Sequence, residues 1–336
     1  MRERDGYHEY YLHLLRECQS ADLQRRLDAL KNLYHEYLDL VEAQFLLDRL
    51  NSTSHAQEQR AILELMCLLK KPLPIDALMA ILADRETSTA YLRSEVAHTL
   101  AFVKAEEALD LLLQLLQDTE EDIFLREMIT YDLPRWEERV PRELLLTLLT
   151  DSALDLCDAA LKVLRDLPPQ LIPLEMVLPY CRHEEKYMRE AAIKTLIATK
   201  QRAPIDPILS ALQDPEPEVR AAASHACLSL VEWFGDQIPL EPLLQVVHDE
   251  YAAVREDVLD ALGKTPLRAP VEPVIAALAD PVSYVRCAAI ETLGLMGKRV
   301  PLDIYPVLQA MSGSDDSAHV RQRARPPHNI MGKDGQ

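Results

Sequence analysis

The fold class predicted for this sequence is all-α: an α–α superhelix of about eight helix pairs, preceded by an N-terminal helical cap. Three observations predict it. A short phrase built around arginine recurs at a near-constant period along most of the chain. Apolar residues follow each copy at helical spacing. The composition also suits helices packed on helices, with 48% apolar residues but only 5% aromatic ones and eight glycines in 336 residues. A sheet would draw on more Val, Ile, Thr and aromatics.

The phrase is an apolar residue followed by Arg. It ends at Arg93, Arg126, Arg189, Arg220, Arg255, Arg286 and Arg321, with a looser copy at Gln59-Arg60 and a copy at Leu156-Cys157 in which Cys replaces Arg. Successive anchors lie 31 to 35 residues apart. Three residues after the anchors stand Leu63, Val96, Ile129, Ala160, Ala192, Ala223, Val258 and Ala289. Seven residues after stand Cys67, Leu100, Leu133, Leu164, Leu196, Cys227, Leu262 and Leu293. Spacings of three and seven place both columns on one face of a helix, here called B.

A second phrase precedes each B helix: Pro74-Ile-Asp, Pro141-Arg-Glu, Pro173-Leu-Glu, Pro204-Ile-Asp, Pro239-Leu-Glu, Pro270-Val-Glu and Pro301-Leu-Asp. Proline is tolerated in a first helical turn, and an acid there meets the positive end of the helix dipole. An A helix of about ten residues is expected to follow. Asp151, Asp214, Asp249, Asp280 and Asp315 then stand six residues before an anchor. Asp214-Pro215 and Asp280-Pro281 read as an N-cap with Pro at the first B-helix position.

A helix pair of this size cannot bury its apolar face alone, so neighbours must stack. The L-x-D-x-x-x-x-V-R-x-x-A phrasing, clearest in Leu212 to Ala223 and Leu278 to Ala289, resembles the HEAT repeat, of the short kind shared with phycobilin lyases and deoxyhypusine hydroxylase. The resemblance implies that the recurrent Asp and Arg are structural, capping B helices and bridging turns, and that the B helices line a concave side.

The expected organisation is an N-terminal cap over 1–53, the repeat array over 54–312, and a truncated last repeat with a disordered tail over 313–336. Within the cap, rich in Tyr, the residues Arg26, Leu30 and Leu33 faintly echo a B helix. At the other end Arg325-Pro326-Pro327 should stop the last helix within a turn or so, and Gly332 to Gln336 should be disordered.

The formal charge of −19 disfavours phosphate backbones and anionic membrane surfaces, both of which are held by Lys and Arg. Neither nucleic acid nor membrane is therefore an expected partner. Between 105 and 160 there are fifteen acids against four Arg, a stretch suited to a basic partner. Six cysteines stand singly with no C-x-x-C pair, so buried apolar thiols are expected. No apolar run of about eighteen residues and no signal-like start is present, so a cytoplasmic setting is expected.

Candidate binding residues lie five positions after the anchors, where the helix has turned away from its core columns. They are Leu65, His98, Tyr131, Lys162, Lys194, His225, Asp260 and Glu291, flanked by Ser94, Glu127, Asp158, Glu190 and Glu256. The resemblance places this column in the groove, where its mixed chemistry suits the reading of a partner. An ordinary solvated helix face is the alternative. The stretch from Glu120 to Arg142 departs most from the repeat, because Leu133-Pro134-Arg135-Trp136 should break its B helix early. Trp136 and Tyr131 beside dense acid form a candidate hot spot; a tryptophan filling an irregular joint is the alternative.

Catalytic chemistry finds little support. His98 and His225 are four repeats apart, on the order of 35–40 Å for packed helices, and cannot share a metal. The hydroxylase relatives hold a di-iron centre through His-Glu pairs on facing B helices. Here His8-Glu9, His35-Glu36 and His183-Glu184 do not recur at the repeat period. No phosphate loop, nucleophile elbow or zinc-protease motif occurs, and no chromophore-attachment motif is found. HEAT-like DNA glycosylases use a cationic groove, which this charge opposes. The expected function is a non-enzymatic scaffold that grips a protein or peptide in its concave groove, without metal or cofactor. An enzyme or accessory of the lyase or hydroxylase type is the alternative.

Overall fold

The computed structural model describes residues 2–139 and 142–325. Among the described residues there are twenty α-helices, short 3-10 segments and no strand. The chain gathers into two units, Met1–Val163 and Leu164–Gln336. The first holds α1 (Arg2–Glu17), α2 (Leu23–Glu36), α3 (Ala43–Ser52), α4 (Ala56–Leu68), α5 (Ile75–Ala83), α6 (Ala90–Phe102), α7 (Leu109–Gln117), α8 (Ile123–Asp132), α9 (Arg142–Leu149) and most of α10 (Leu154–Arg165). The second holds α11 (Leu174–Val177), α12 (Lys186–Ala198), α13 (Ile205–Ser210), α14 (Pro217–Phe234), α15 (Glu241–Gln245), α16 (Ala252–Gly263), α17 (Glu272–Ala276), α18 (Ser283–Met296), α19 (Tyr305–Ser314) and α20 (Ala318–Arg323).

Within each unit the predicted pairing is present. B helices pack on B helices, α4 on α6 on α8 in the first unit and α12 through α14, α16 and α18 to α20 in the second. The preceding helix also packs on its B helix in most repeats, as α5 does on α6 and α17 on α18. The two apolar columns explain this. Val96, Ile129, Ala192, Ala223, Val258 and Ala289 are buried, and so, one turn further, are Leu100, Leu196, Cys227, Leu262 and Leu293. Alternating a small with a large side chain lets neighbouring helices interlock. The approach is close at Gly263, where a Cβ would meet Thr292 Oγ1 at 3.0 Å and Leu295 Cδ1 at 3.2 Å. Trimming one of these buried leucines to Ala costs on the order of 2–5 kcal/mol.

Several expectations need correction. In the first repeat the anchor is Gln59, not Arg60. Arg60 is exposed and pairs with Glu64 on its own helix, whereas Gln59 is buried and its Nε2 donates to the Thr53 carbonyl at 3.0 Å. The core columns of that helix are Ile62 and Met66, and Leu65 is buried rather than facing a groove. An amide supplies the N–H that a guanidinium supplies elsewhere, so a search keyed on Arg slips by one residue.

The Asp-Pro pairs do not cap their helices. α14 begins at Pro217 after Glu216, and α18 at Ser283 after Val282. Asp214 and Asp280 sit two residues further out, where each accepts the backbone N–H two residues on, at 3.0 and 2.8 Å. They brace the loop, and the helix starts beyond it.

The A helices have the expected length, eight to ten residues, in α5, α7, α9 and α19 but only four to six in α11, α13, α15 and α17. The second unit places a further proline, Pro207, Pro242 or Pro273, inside the first turn, and 3-10 segments at Leu178–Arg182, Ala211–Gln213 and Ala277–Ala279 follow. Such tight turns satisfy end carbonyls that a short helix leaves open. The leading prolines precede their helices: Pro74, Pro173 and Pro204 are N-cap residues.

The early break at Leu133 is present, since α8 stops at Asp132 and a 3-10 segment spans Leu133–Arg139. Of the cysteines, Cys18, Cys157, Cys227 and Cys287 are buried, while Cys67 and Cys181 are partly so. Burial pushes the thiols of Cys18 and Cys227 up to about 12 and that of Cys181 up to about 11. Such thiols stay protonated and inert. Pro141, Pro326, Pro327 and the segment Gly332 to Gln336 lie outside the described residues. Among the described residues no helix is long and apolar enough to cross a membrane.

Candidate functional site

The recurrent Arg and Asp form buried rungs inside each unit. In the second, the guanidinium of Arg189 is bidentate on Asp214 (2.7 and 2.8 Å), that of Arg220 on Asp249 (2.7 and 3.0 Å), that of Arg255 on Asp280 (2.7 and 2.8 Å) and that of Arg286 on Asp315 (2.9 and 2.7 Å). The remaining Nη1 of each Arg donates to the carbonyls six and five residues before it, as Arg220 does to Asp214 and Pro215 at 3.0 Å each. One side chain thus ties its own loop to the next repeat. Burial works to raise the Asp214 carboxyl, but the hydrogen bonds from Arg189 and the Glu216 N–H outweigh it and hold it below the ordinary range.

The first unit uses the same device with other parts. Arg26 donates to the Ser20 and Ala21 carbonyls and to Glu58, so the sequence echo of a B helix in α2 is a working rung. Arg93 is bidentate on Glu121 at 2.7 Å, and Arg126 reaches Asp151 at 2.7 Å. Cys157, in the arginine position, donates its thiol to the carbonyls of Leu149 and Asp151.

These rungs free the opposite B-helix surface for other work. In the first unit two links cross between repeats there. His98 Nδ1 donates to Asp132 Oδ2 at 2.8 Å, and Arg135 holds the other oxygen at 2.8 Å while its guanidinium covers the Phe102 ring. The Asp132 hydrogen bond raises the His98 pKa against the pull of burial. Lys162 Nζ donates to the Tyr131 hydroxyl at 3.2 Å, lies over that ring and pairs with Asp158. Trp136 is 4% exposed, and among the described residues its Nε1 has no hydrogen-bond partner.

In the second unit Lys194 pairs with Glu190 on its own helix and His225 is the most exposed member of the column. Beyond them α16 gathers acid. Burial raises the carboxyls of Asp257, Asp260 and Glu256, and for Asp260 and Glu256 the neighbouring carboxylates add to the rise. Asp257 accepts from Ser224 at 2.9 Å. Glu291 pairs with Arg323 on α20. Asp260, Glu256 and Glu291 line a cleft of about 320 Å³ with Tyr284, Cys287 and His319.

A family model described as HEAT repeats matches residues 43–130, 174–237 and 240–325. The chain belongs to the HEAT-repeat family. Among solved structures this HEAT array is similar to an engineered protein, at 15% identity over 94% of this chain and 97% of the other, with a TM-score of 0.52. It is also similar to Kap121p bound to Nup53p, at 14% identity over 94% of this chain and 40% of that one, with a TM-score of 0.54. The karyopherin Kap121p bound to the extreme C-terminus of the protein phosphatase Cdc14p gives 12% identity, 94% and 41% coverage and 0.53. The array spans about two fifths of the Kap121p chain, and at these identities the likeness is one of fold. No curated protein matches the sequence.

The sequence columns brought His98, Tyr131, Lys162, Lys194, His225, Asp260 and Glu291 to one kind of helix face but missed their partners. Asp132 and Asp257 stand six and two residues after an anchor, off the column that was followed. Also missed was a second ladder, in which Arg202 and Arg268 donate to carbonyls 33 and 30 residues back, at Pro169 and Ile172 and at Gly235 and Ile238, and Arg299 likewise to Pro266 and Ala269. Its signal was legible: each of these Arg stands two residues before a proline, in Arg202-Ala-Pro204, Arg268-Ala-Pro270 and Arg299-Val-Pro301.

Proposed function

We propose that the array is a scaffold that binds a protein or peptide partner on its B-helix face, with basic groups of the partner meeting the acid of α16. The observation that carries the reading is the group Glu256, Asp257 and Asp260, whose carboxyls are all raised by burial, those of Glu256 and Asp260 also by their carboxylate neighbours. Partly buried carboxylates that repel one another are stabilised by an incoming cation, so the free protein carries a strain that a basic partner relieves. The His98–Asp132 and Tyr131–Lys162 links place further polar and aromatic groups on the same kind of face in the first unit. Protein-bound structures of Kap121p give a precedent for partner binding on a similar fold.

The test is affinity purification from the native cell followed by variants of the bait. Asp257→Asn with Asp260→Asn should lose the partner without lowering the melting temperature, and Lys162→Glu with Lys194→Glu should weaken partner binding. Full retention by both double variants would remove the B-helix face from the interaction.

A further inference from the structure

One loop acid lacks the arginine that its equivalents hold. The acids that begin the loops before the B helices each accept an arginine: Asp118 from Arg85, Asp151 from Arg126, Asp214 from Arg189, Asp249 from Arg220, Asp280 from Arg255 and Asp315 from Arg286. Asp84 occupies the same place in Leu82-Ala-Asp84, matching Leu116-Gln-Asp118 and Leu212-Gln-Asp214. Its carboxylate accepts the N–H of Glu86 and of Thr87, both at 3.0 Å, and the Thr87 hydroxyl. Among the described residues no cation comes within ion-pair distance of it; the Arg93 guanidinium, held by the Leu82 carbonyl and Glu121, acts on it only from further off.

The residue that should supply the cation is Gln59. It stands 25 residues before Asp84, the separation of Arg126 from Asp151, of Arg189 from Asp214 and of Arg255 from Asp280. Its amide reproduces half of the arginine's role, the bond to the carbonyl six residues back. It has no second arm and no charge for the acid. Gln59 and Asp84 line a common cleft of about 530 Å³, together with Thr53, Thr87, Ile81 and Leu92. That volume falls within the usual range for a ligand site, and hydroxyls with an acid at one end and aliphatic walls beside them suit a long cationic side chain. The second unit has a comparable cleft of about 820 Å³ lined by Arg189 and Asp214, but there both carboxylate oxygens already hold the internal guanidinium.

We propose that the Gln59–Asp84 cleft is a binding site for a guanidinium group, the arginine side chain of a partner, which completes the rung in trans. The planar fork matches the bidentate geometry of the internal rungs, whereas an ammonium offers only a point charge. The aliphatic stem would lie along Ile81 and Leu92. This site is separate from the B-helix face and does not depend on its role.

The experiment uses the full chain with N-acetyl-arginine amide as probe and the uncharged N-acetyl-citrulline amide as control, followed by NMR or calorimetry. The arginine probe should saturate the wild type and the citrulline probe should not. Asp84→Asn should weaken binding about ten- to a hundredfold, the range for a charged hydrogen bond. Gln59→Arg should abolish it while raising the melting temperature, because the chain then supplies its own guanidinium. Asp214→Asn should leave it unchanged. The absence of saturable binding to wild type, or equal binding by Asp84→Asn, overturns the proposal. Should Gln59→Arg fail to fold, the Asp84→Asn and citrulline comparisons decide alone.

Discussion

The second unit repeats one polar device with little change, whereas the first unit builds the same device from different parts. In the second, Arg220, Arg255 and Arg286 each follow a loop Asp by six residues and meet an Asp of the next repeat while clamping the two carbonyls behind them. In the first, Arg93 follows Asp84 by nine residues and Arg126 follows Asp118 by eight. The longer loop moves the Asp away, and Glu121, with one more methylene, reaches Arg93 from beside the true N-cap Asp122. Side-chain caps also appear here, at Asp22, Thr89 and Asp122, where the second unit leaves the loop to arginine. Loop length decides which acid serves, and the guanidinium is the fixed part.

Four substitutions sharpen or break that contrast. The largest effect is expected from Arg220→Ala, which strands the buried Asp249 and frees the Asp214 and Pro215 carbonyls. Removing one partner of a buried pair costs about 3–5 kcal/mol, read as a shift in denaturation midpoint. A loss no larger than that of an exposed pair such as Arg60–Glu64 would show that the ladder is ornamental.

A middle effect is expected from Glu121→Asp, which keeps the charge but shortens the reach. Weakening charged hydrogen bonds from a buried site costs roughly 1.5–3 kcal/mol, again by denaturation. An unchanged midpoint would mean that loop length does not select the acid.

The smallest effect concerns pH and has opposite signs at two acids of the second unit. Asp214 is held below its ordinary value, so its stabilising contribution is present at neutral pH and is lost as pH falls through the folded value. Asp260 is raised, so its charged form destabilises the fold at neutral pH, and that penalty fades as pH falls through its raised value. Asp214→Asn should therefore lower the melting temperature at pH 7, and Asp260→Asn should raise it slightly. The gain should shrink on acidification. Shifts of the same sign would contradict the proposed division between Asp214 as structural and Asp260 as partner-binding.

Much of this was legible in the chain. The columns at three and seven residues after each anchor specify the buried stripe because helical geometry repeats locally, whatever the helix packs against. The early stop at Leu133-Pro134 was equally local. Gln59 escaped because its role is defined by a hydrogen bond to Thr53 rather than by its residue type. The N-caps were misplaced because Asp214 and Asp280 serve a loop whose shape depends on an arginine from the preceding repeat.

What the sequence by itself determined is therefore the helix pairs, their period and their apolar face, all set by neighbours within a turn or two. Only the tertiary structure decided which acid each guanidinium holds, that Trp136 is buried, and that among the described residues no arginine pairs with Asp84 as with its equivalents. Those outcomes depend on side chains brought together across 25 to 34 residues, and small differences in loop length change which of them can reach.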